Sequence, residues 1–237
     1  MLQFIISSVP LAVMLFALWF KYGKNKNLLN IIFWGYIFSI GTLFIGPLFD
    51  FWDSSSFLHW LFGAGVTEEA LRLYCTIFSK PQSKNDLIYN CFIISAVFTS
   101  IEDYCYYSRM NGNYNQLLLR AIGPVHLFFA LLMVVILIRA YDCRESNKKK
   151  SDVYKVLAFV LPAVIHGSWD YLLLNTSGNK LYVLLTFAAI PAYLFPLIYI
   201  ICKVKTGDTN NDVIKVNIWK KLIMIIYSLL FIIGFHI

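Results

Sequence analysis

The chain has 237 residues, of which 59% are hydrophobic and only 14% are charged, and its mean hydropathy is +0.67. A soluble domain carries about 25% charged residues, so this composition excludes a soluble fold and predicts a single membrane domain over residues 1–237. The net charge of +7 does not indicate a nucleic-acid partner, because the basic residues lie in short loops between apolar runs, where they orient membrane helices.

Eight apolar stretches are long enough to cross a bilayer as helices, since each has about 19 to 25 residues at a rise of 1.5 Å per residue. The predicted spans are 2–20, 28–49, 57–79, 87–107, 116–140, 153–175, 181–202 and 218–236. Only helices satisfy their own backbone groups in lipid without closing into a barrel. The predicted fold class is therefore all-α, a polytopic transmembrane helix bundle of about eight spans.

The loops between these stretches alternate in charge. The odd-numbered loops carry fifteen lysines and arginines, whereas the even-numbered loops carry two. Cytoplasmic loops are enriched in basic residues, so we predict an N-out/C-out topology with the odd loops in the cytoplasm. The expected location is the plasma membrane, as a multi-pass protein.

Two adjacent acidic residues lie near the middle of the third predicted span. Glu68 and Glu69 stand where a charged side chain costs ~2.5–3.5 kcal/mol on insertion scales. They must face the protein interior, share protons or find partners. Ionisable residues at this depth are candidate functional residues.

Three further predicted spans carry ionisable groups at the middle or outer level of the bilayer. These groups are Glu102, Arg120, His126, His166 and Asp170. Placing these groups around one shared polar cavity costs less desolvation free energy than burying each of them separately. We therefore predict a site formed by four consecutive helices.

Residue spacing suggests pairings within this site. Arg72 follows Glu68 by four residues and Glu69 by three, so it can neutralise either carboxylate on a helix face. The spacing leaves open which glutamate then takes up a proton, and a purely structural ion pair is the alternative. Asp170 follows His166 by four residues and is expected to orient its imidazole. Arg120 either snorkels outward or neutralises the carboxylates, and Asp103 is expected near the outer headgroups.

Four short elements resemble one known family of membrane enzymes. Glu68-Glu69-Ala70-Leu71-Arg72 resembles the E-E-x-x-[KR] motif of PrsW-type intramembrane proteases. Phe98 to Glu102 resembles the F-x-x-x-E of that family, with Tyr106 one turn on; Arg120 to His126 resembles its next helix; and His166 to Asp170, which includes Trp169, resembles its H-G-x-W-D element. The four elements follow the family order over about residues 60–175. The related CAAX-type prenyl proteases have E-E-x-x-x-R and F-x-x-x-H, where this chain has Leu73 and Glu102.

The resemblance implies a glutamic-type endopeptidase with a catalytic core at about residues 57–175, which cuts membrane-anchored proteins such as anti-sigma factors. The sequence shows no serine or cysteine beside a base in a recognisable nucleophile motif, so hydrolysis by a directly activated water is predicted. In this hypothesis Glu68 is the general base and Glu69 pairs with Arg72. Glu102 or His126 shares the water, and His166 stabilises the oxyanion or protonates the amine.

The cofactor and the reaction class have open alternatives at this stage. Glutamates and two histidines are plausible zinc ligands, but H-E-x-x-H is absent from the sequence and the groups come from four helices. The sequence therefore favours a site without a metal cofactor, with zinc as the variant. A proton- or cation-coupled transporter would use a similar cluster, although no inverted repeat is visible in the sequence. A non-catalytic scaffold is the third reading, and the oligomeric state is left open.

Overall fold

The computed structural model describes residues 2–49, 52–109, 114–175 and 195–199, and these residues form helices and no strands, which confirms the predicted all-α class. The helices are α1 (Leu2–Ser7), α2 (Val9–Tyr22), α3 (Leu28–Ile45), α4 (Phe57–Trp60), α5 (Thr67–Phe78), α6 (Lys84–Arg109), α7 (Tyr114–Ile122), α8 (Val125–Cys143) and α9 (Lys148–Asn175). The predicted span 218–236 and most of 181–202 lie outside the described residues.

Within the described part of the chain, three helical stretches are long and apolar enough to cross a membrane by length and composition. They are Leu28–Leu48, Leu117–Cys143 and Lys148–Leu173. The protein is therefore a helical membrane protein, while eight spans and the orientation stay predictions.

Helix α6 differs from these three apolar stretches because it runs through the centre of the bundle. Each of its residues from 87 to 99 is buried, and it packs against α2, α3, α5 and α8. A helix enclosed by other helices has no lipid-facing side, so it tolerates polar residues that a peripheral span excludes.

The fifth predicted span is interrupted, and the interruption matters for the site. Helix α7 ends at Ile122 and α8 begins at Val125, with Pro124 as the residue before α8. Proline has no backbone N–H, so it begins a helix readily but does not continue one. As a result, Arg120 and His126 lie on two separate helices.

The third predicted span is continuous but not uniformly α-helical. A π-helical segment, Leu61–Val66, joins α4 to α5. The hydroxyl of Thr67 donates to the Phe62 carbonyl at 2.7 Å, five residues back, which matches the wider turn. π-Helical turns occur frequently at functional sites. This segment ends two residues before Glu68, so it sets the direction around the helix axis in which the side chains of the two glutamates point from α5.

Two glycines let this span touch α9 backbone to backbone. A Cβ atom on Gly65 would lie 2.3 Å from the Ala163 carbonyl oxygen, and one on Gly167 would lie 2.6 Å from the Leu61 Cα. These distances leave no room for any side chain. The close approach brings Glu69 on α5 next to His166 on α9.

Candidate active site

The candidate active site contains five groups predicted from the sequence, brought together from four helices. Glu68 and Glu69 come from α5, Glu102 from α6, His126 from α8 and His166 from α9. The imidazole rings of the two histidines stand 5.1 Å apart, centre to centre. The predicted groups are therefore neighbours in space although up to 98 residues separate them in the chain.

The first half of the site is a fully buried series of side-chain contacts, in which Arg72 contacts Glu69 and Glu69 contacts His166. Arg72 Nη1 contacts both carboxylate oxygens of Glu69 at 2.5 Å, and neither side chain is exposed. His166 Nδ1 lies 2.9 Å from Glu69 Oε1. A carboxylate paired with arginine accepts hydrogen bonds, so Nδ1 donates and the other ring nitrogen, Nε2, faces the centre of the site.

The second half of the site has the same arginine–glutamate–histidine order of contacts, made by different residues. Arg120 Nη2 contacts Glu102 Oε2 at 2.8 Å, and His126 Nε2 lies 2.7 Å from the same oxygen. Here Nε2 is the donor, so Nδ1 of His126 faces the centre. Each histidine is thus held by a carboxylate that is itself paired with an arginine.

Glu68 differs from Glu69 because it faces the centre instead of an arginine. Its Oε2 lies 3.6 Å from His126 Nδ1 and 3.7 Å from His166 Nε2. These three atoms are buried, and within the described part of the chain none of them makes a hydrogen bond. Buried polar atoms without partners are rare and costly, so their convergence requires an explanation.

The three atoms fit a metal ion. Glu68, His126 and His166 each offer one ligand atom, and these atoms lie within 4.8 Å of one another. Ligand atoms at ~2.0–2.1 Å from a tetrahedral zinc are about 3.4 Å apart, close to the two separations measured here. Metal-bound histidines usually donate their second N–H to a carboxylate or carbonyl, as both histidines do in this site.

Asp170 contacts His166, as its spacing predicted, but it does so at the nitrogen that faces the centre. Its Oδ2 lies 3.4 Å from His166 Nε2, the nitrogen that faces the centre. The nitrogen that would receive an orienting carboxylate is already bound to Glu69, which reaches it from another helix at 2.9 Å. His166 is therefore flanked by two carboxylates, Glu69 at Nδ1 and Asp170 at Nε2, and Asp170 lies beside the centre.

Arg120 takes the second of its two predicted positions, whereas Asp103 differs from expectation. Arg120 turns inward, and its Nε contacts Asp103 Oδ1 at 2.7 Å. Asp103 was expected near the outer headgroups, but its side chain is only 1% exposed and so faces protein. The ring of Tyr106 lies beneath the Arg120 guanidinium at 4.3 Å. Trp169 is partly buried on α9, directly before Asp170.

The site has a closed side and an open side. Glu69, Arg72 and His166 are buried, whereas the side chains of Glu102, Arg120 and Asp170 are between 26% and 29% exposed. Among the described residues, the side of the centre formed by the last three is therefore the more exposed one.

Replacing Arg72 should destabilise the protein strongly. Arg72→Met leaves Glu69 buried without its partner, which costs ~3–5 kcal/mol. Lys84→Met is the matched control, because Lys84 pairs with Asp142 in a partly exposed position, where an ion pair contributes about 0–1 kcal/mol. Unfolding in detergent measures both variants, and equal losses of stability would contradict the buried-pair assignment.

The apolar helices and the enclosed carboxylate–histidine centre define a helical membrane protein whose interior holds a site of the kind that enzymes and transporters use. The chain belongs to the PrsW family: the family described as "PrsW family intramembrane metalloprotease" matches residues 24–198, which are 175 of its 237 residues. This range contains all four sequence elements, so the resemblance is confirmed and the chain is a membrane protease by family. No curated protein and no solved structure matches it.

Proposed function

We propose that this protein is a metal-dependent intramembrane endopeptidase in which Glu68, His126 and His166 hold one divalent ion, with zinc as the best fit. The observation that carries the proposal is the convergence of three buried ligand atoms that make no hydrogen bond among the described residues. It favours the zinc variant over the metal-free site that the sequence alone favoured, because the carboxylates of Glu69 and Glu102 already occupy the outward nitrogens of the two histidines.

The charge balance of the cluster supports the same proposal. Five carboxylates stand against two guanidinium groups, an excess of three negative charges when all are ionised. The carboxylates are those of Glu68, Glu69, Glu102, Asp103 and Asp170. An uncompensated buried charge is strongly destabilising, and a divalent cation offsets two of the three.

In the proposed mechanism a zinc ion supplies Lewis acidity to a bound water and to the scissile carbonyl. Glu69 and Glu102 fix the two imidazoles, so that His166 Nε2 and His126 Nδ1 keep their lone pairs toward the centre. Asp170, on the open side, accepts the proton of the attacking water at Oδ2 and returns it to the leaving amine. Glu68, first expected to be the general base, acts here as a ligand.

The proposed substrate is a membrane-anchored protein whose chain unwinds to reach the open side of the site. Anti-sigma factors are the candidate substrates that the family resemblance implies. We propose residues 57–175 as the catalytic core and the plasma membrane as the location.

Co-expression with candidate single-span proteins tests the proposed activity. Cleavage by the wild type and not by Glu68→Ala supports a protease. A transporter is the second candidate, favoured by the excess of negative charge at the open side. It predicts that neither form cleaves and that the wild type carries cations or protons into liposomes.

A further inference from the structure

We infer that Asp103 and Arg120 are positioning residues, which hold Glu102 against His126 so that Nδ1 of His126 faces the centre. This inference rests on the proposed metal centre. It assigns a role to Asp103, which the sequence placed among the headgroups, and it separates that role from the catalytic chemistry.

The plane of the Arg120 guanidinium is fixed by α6 from three sides. Its Nε contacts Asp103 Oδ1 at 2.7 Å and its Nη2 contacts Glu102 Oε2 at 2.8 Å. The Tyr106 ring covers one face of the group at 4.3 Å. Arginine presents its donors in a rigid planar fork, so two neighbouring carboxylates and one ring leave the group a single orientation.

Fixing Arg120 fixes one particular oxygen of Glu102. The same atom, Oε2, contacts both Arg120 Nη2 and His126 Nε2, at 2.8 Å and 2.7 Å. Glu102 is partly exposed on the open side of the site, and a glutamate side chain in such a place has several rotamers. The arginine contact selects the rotamer that places this oxygen against the histidine.

Packing alone does not decide which edge of His126 faces the centre. The ring packs edge-on against Phe98 at 4.9 Å and Phe129 at 6.2 Å, measured between ring centres. A half-turn of the imidazole about its bond to Cβ fills the same space but exchanges Nδ1 for a carbon. In the metal-free protein, the one hydrogen bond among the described residues that distinguishes the two orientations is that from Nε2 to Glu102.

Arg120 also comes from a different helix than either of its partners. It lies on α7, which the break at Pro124 separates from α8, while Glu102 and Asp103 lie on α6. The pairing therefore links α7 to α6, and the hydrogen bond between Glu102 and His126 adds α8 at the open side. A structural role and a positioning role both follow from this geometry, and the experiment must separate them.

Cobalt titration of the full-length, metal-free protein, followed by visible absorption, measures the positioning role. Arg120→Gln and Asp103→Leu should weaken cobalt binding ten- to a hundredfold, the usual effect of losing an outer partner of a metal-bound histidine. Asp103→Asn keeps an oxygen that accepts from Arg120 and should stay within about twofold of the wild type. This conservative rescue is not expected if only the charge of Asp103 matters.

Lys84→Gln is the matched structural control, because Lys84 pairs with Asp142 and so joins α6 to α8 away from the site. It should leave cobalt affinity unchanged. An equal loss of affinity in Lys84→Gln and Arg120→Gln would show a general structural effect and overturn the inference, as would wild-type affinity in Arg120→Gln. If Asp103→Leu does not fold, Arg120→Gln and Arg120→Lys still test the inference. Lysine lacks the planar fork of arginine, so Arg120→Lys should also weaken cobalt binding.

A second measurement separates this inference from the metal centre itself. The chain has four histidines, so ¹⁵N-labelled imidazole signals of the metal-free protein can be assigned by substitution. The Nε2–H proton of His126 should be protected from exchange with water in the wild type and lose that protection in Arg120→Gln. If the Nε2–H proton is protected but the protein binds no cobalt, the metal centre is refuted and the positioning role is not. If this proton exchanges equally fast in the wild type and in Arg120→Gln, the positioning role is refuted.

Discussion

Replacing Glu68 with glutamine is expected to reduce cleavage of a membrane-anchored substrate by about a hundredfold to ten-thousandfold, the range for losing a central catalytic group. The substitution preserves shape but converts an anionic ligand atom into a neutral amide. Because Glu68 Oε2 has no hydrogen-bond partner among the described residues, the fold loses little. The melting temperature should therefore stay near that of the wild type while metal binding weakens.

Asp170→Asn gives the informative contrast to Glu68→Gln. Its carboxylate is proposed to transfer protons and lies outside the three-residue ligand group. Cleavage should fall while cobalt affinity is retained. Full cleavage by Glu68→Gln would contradict the central role of Glu68, and loss of cobalt binding in Asp170→Asn would make Asp170 a ligand.

Replacing Gly65 with alanine is expected to reduce cleavage about a hundredfold, although Gly65 has no reactive group. The new Cβ would lie 2.3 Å from the Ala163 carbonyl oxygen and 2.8 Å from the Gly167 nitrogen. Both are backbone atoms, so no side-chain rotation relieves the clash, and the π-helical segment must move away from α9 and carry the start of α5 with it. A displacement near 1 Å at a catalytic group costs about a hundredfold in rate, and overpacking costs ~1–3 kcal/mol of stability.

Gly46→Ala is the matched control for this prediction. A Cβ there meets only the Gly63 carbonyl oxygen at 3.6 Å, an ordinary contact. Cleavage should stay within about twofold of the wild type. Normal activity in Gly65→Ala would mean that the close approach of α5 and α9 does not set the distance between Glu69 and His166.

The sequence predicted the members of the site better than their partners. Depth along each apolar run and the order of four elements identified Glu68, Glu102, His126 and His166. The residue spacing allowed Arg72 to pair with either Glu68 or Glu69, and the structure pairs it with Glu69. That choice depends on how far α5 is rotated, which the π-helical segment Leu61–Val66 controls and no spacing rule includes.

The misplaced residues are those whose partners lie on another helix. The i,i+4 rule connected His166 with Asp170, whereas Glu69 reaches His166 from α5. Asp103 was assigned to the headgroups because depth was estimated along a single helix. The signal that could have identified it is its position beside Glu102 together with a lone arginine, Arg120, in the next span. The proposed metal ligands lacked a motif for the same reason, since three helices supply one of these residues each.

The metal content of the purified, full-length protein tests the central claim most directly, when it is measured together with cleavage before and after chelation. We expect one divalent ion per wild-type chain and a large loss of bound metal in His126→Gln and in His166→Gln. Chelation should stop cleavage, and added zinc should restore it. A chelated chain that is free of metal and still cleaves its substrate at the full rate would contradict the account.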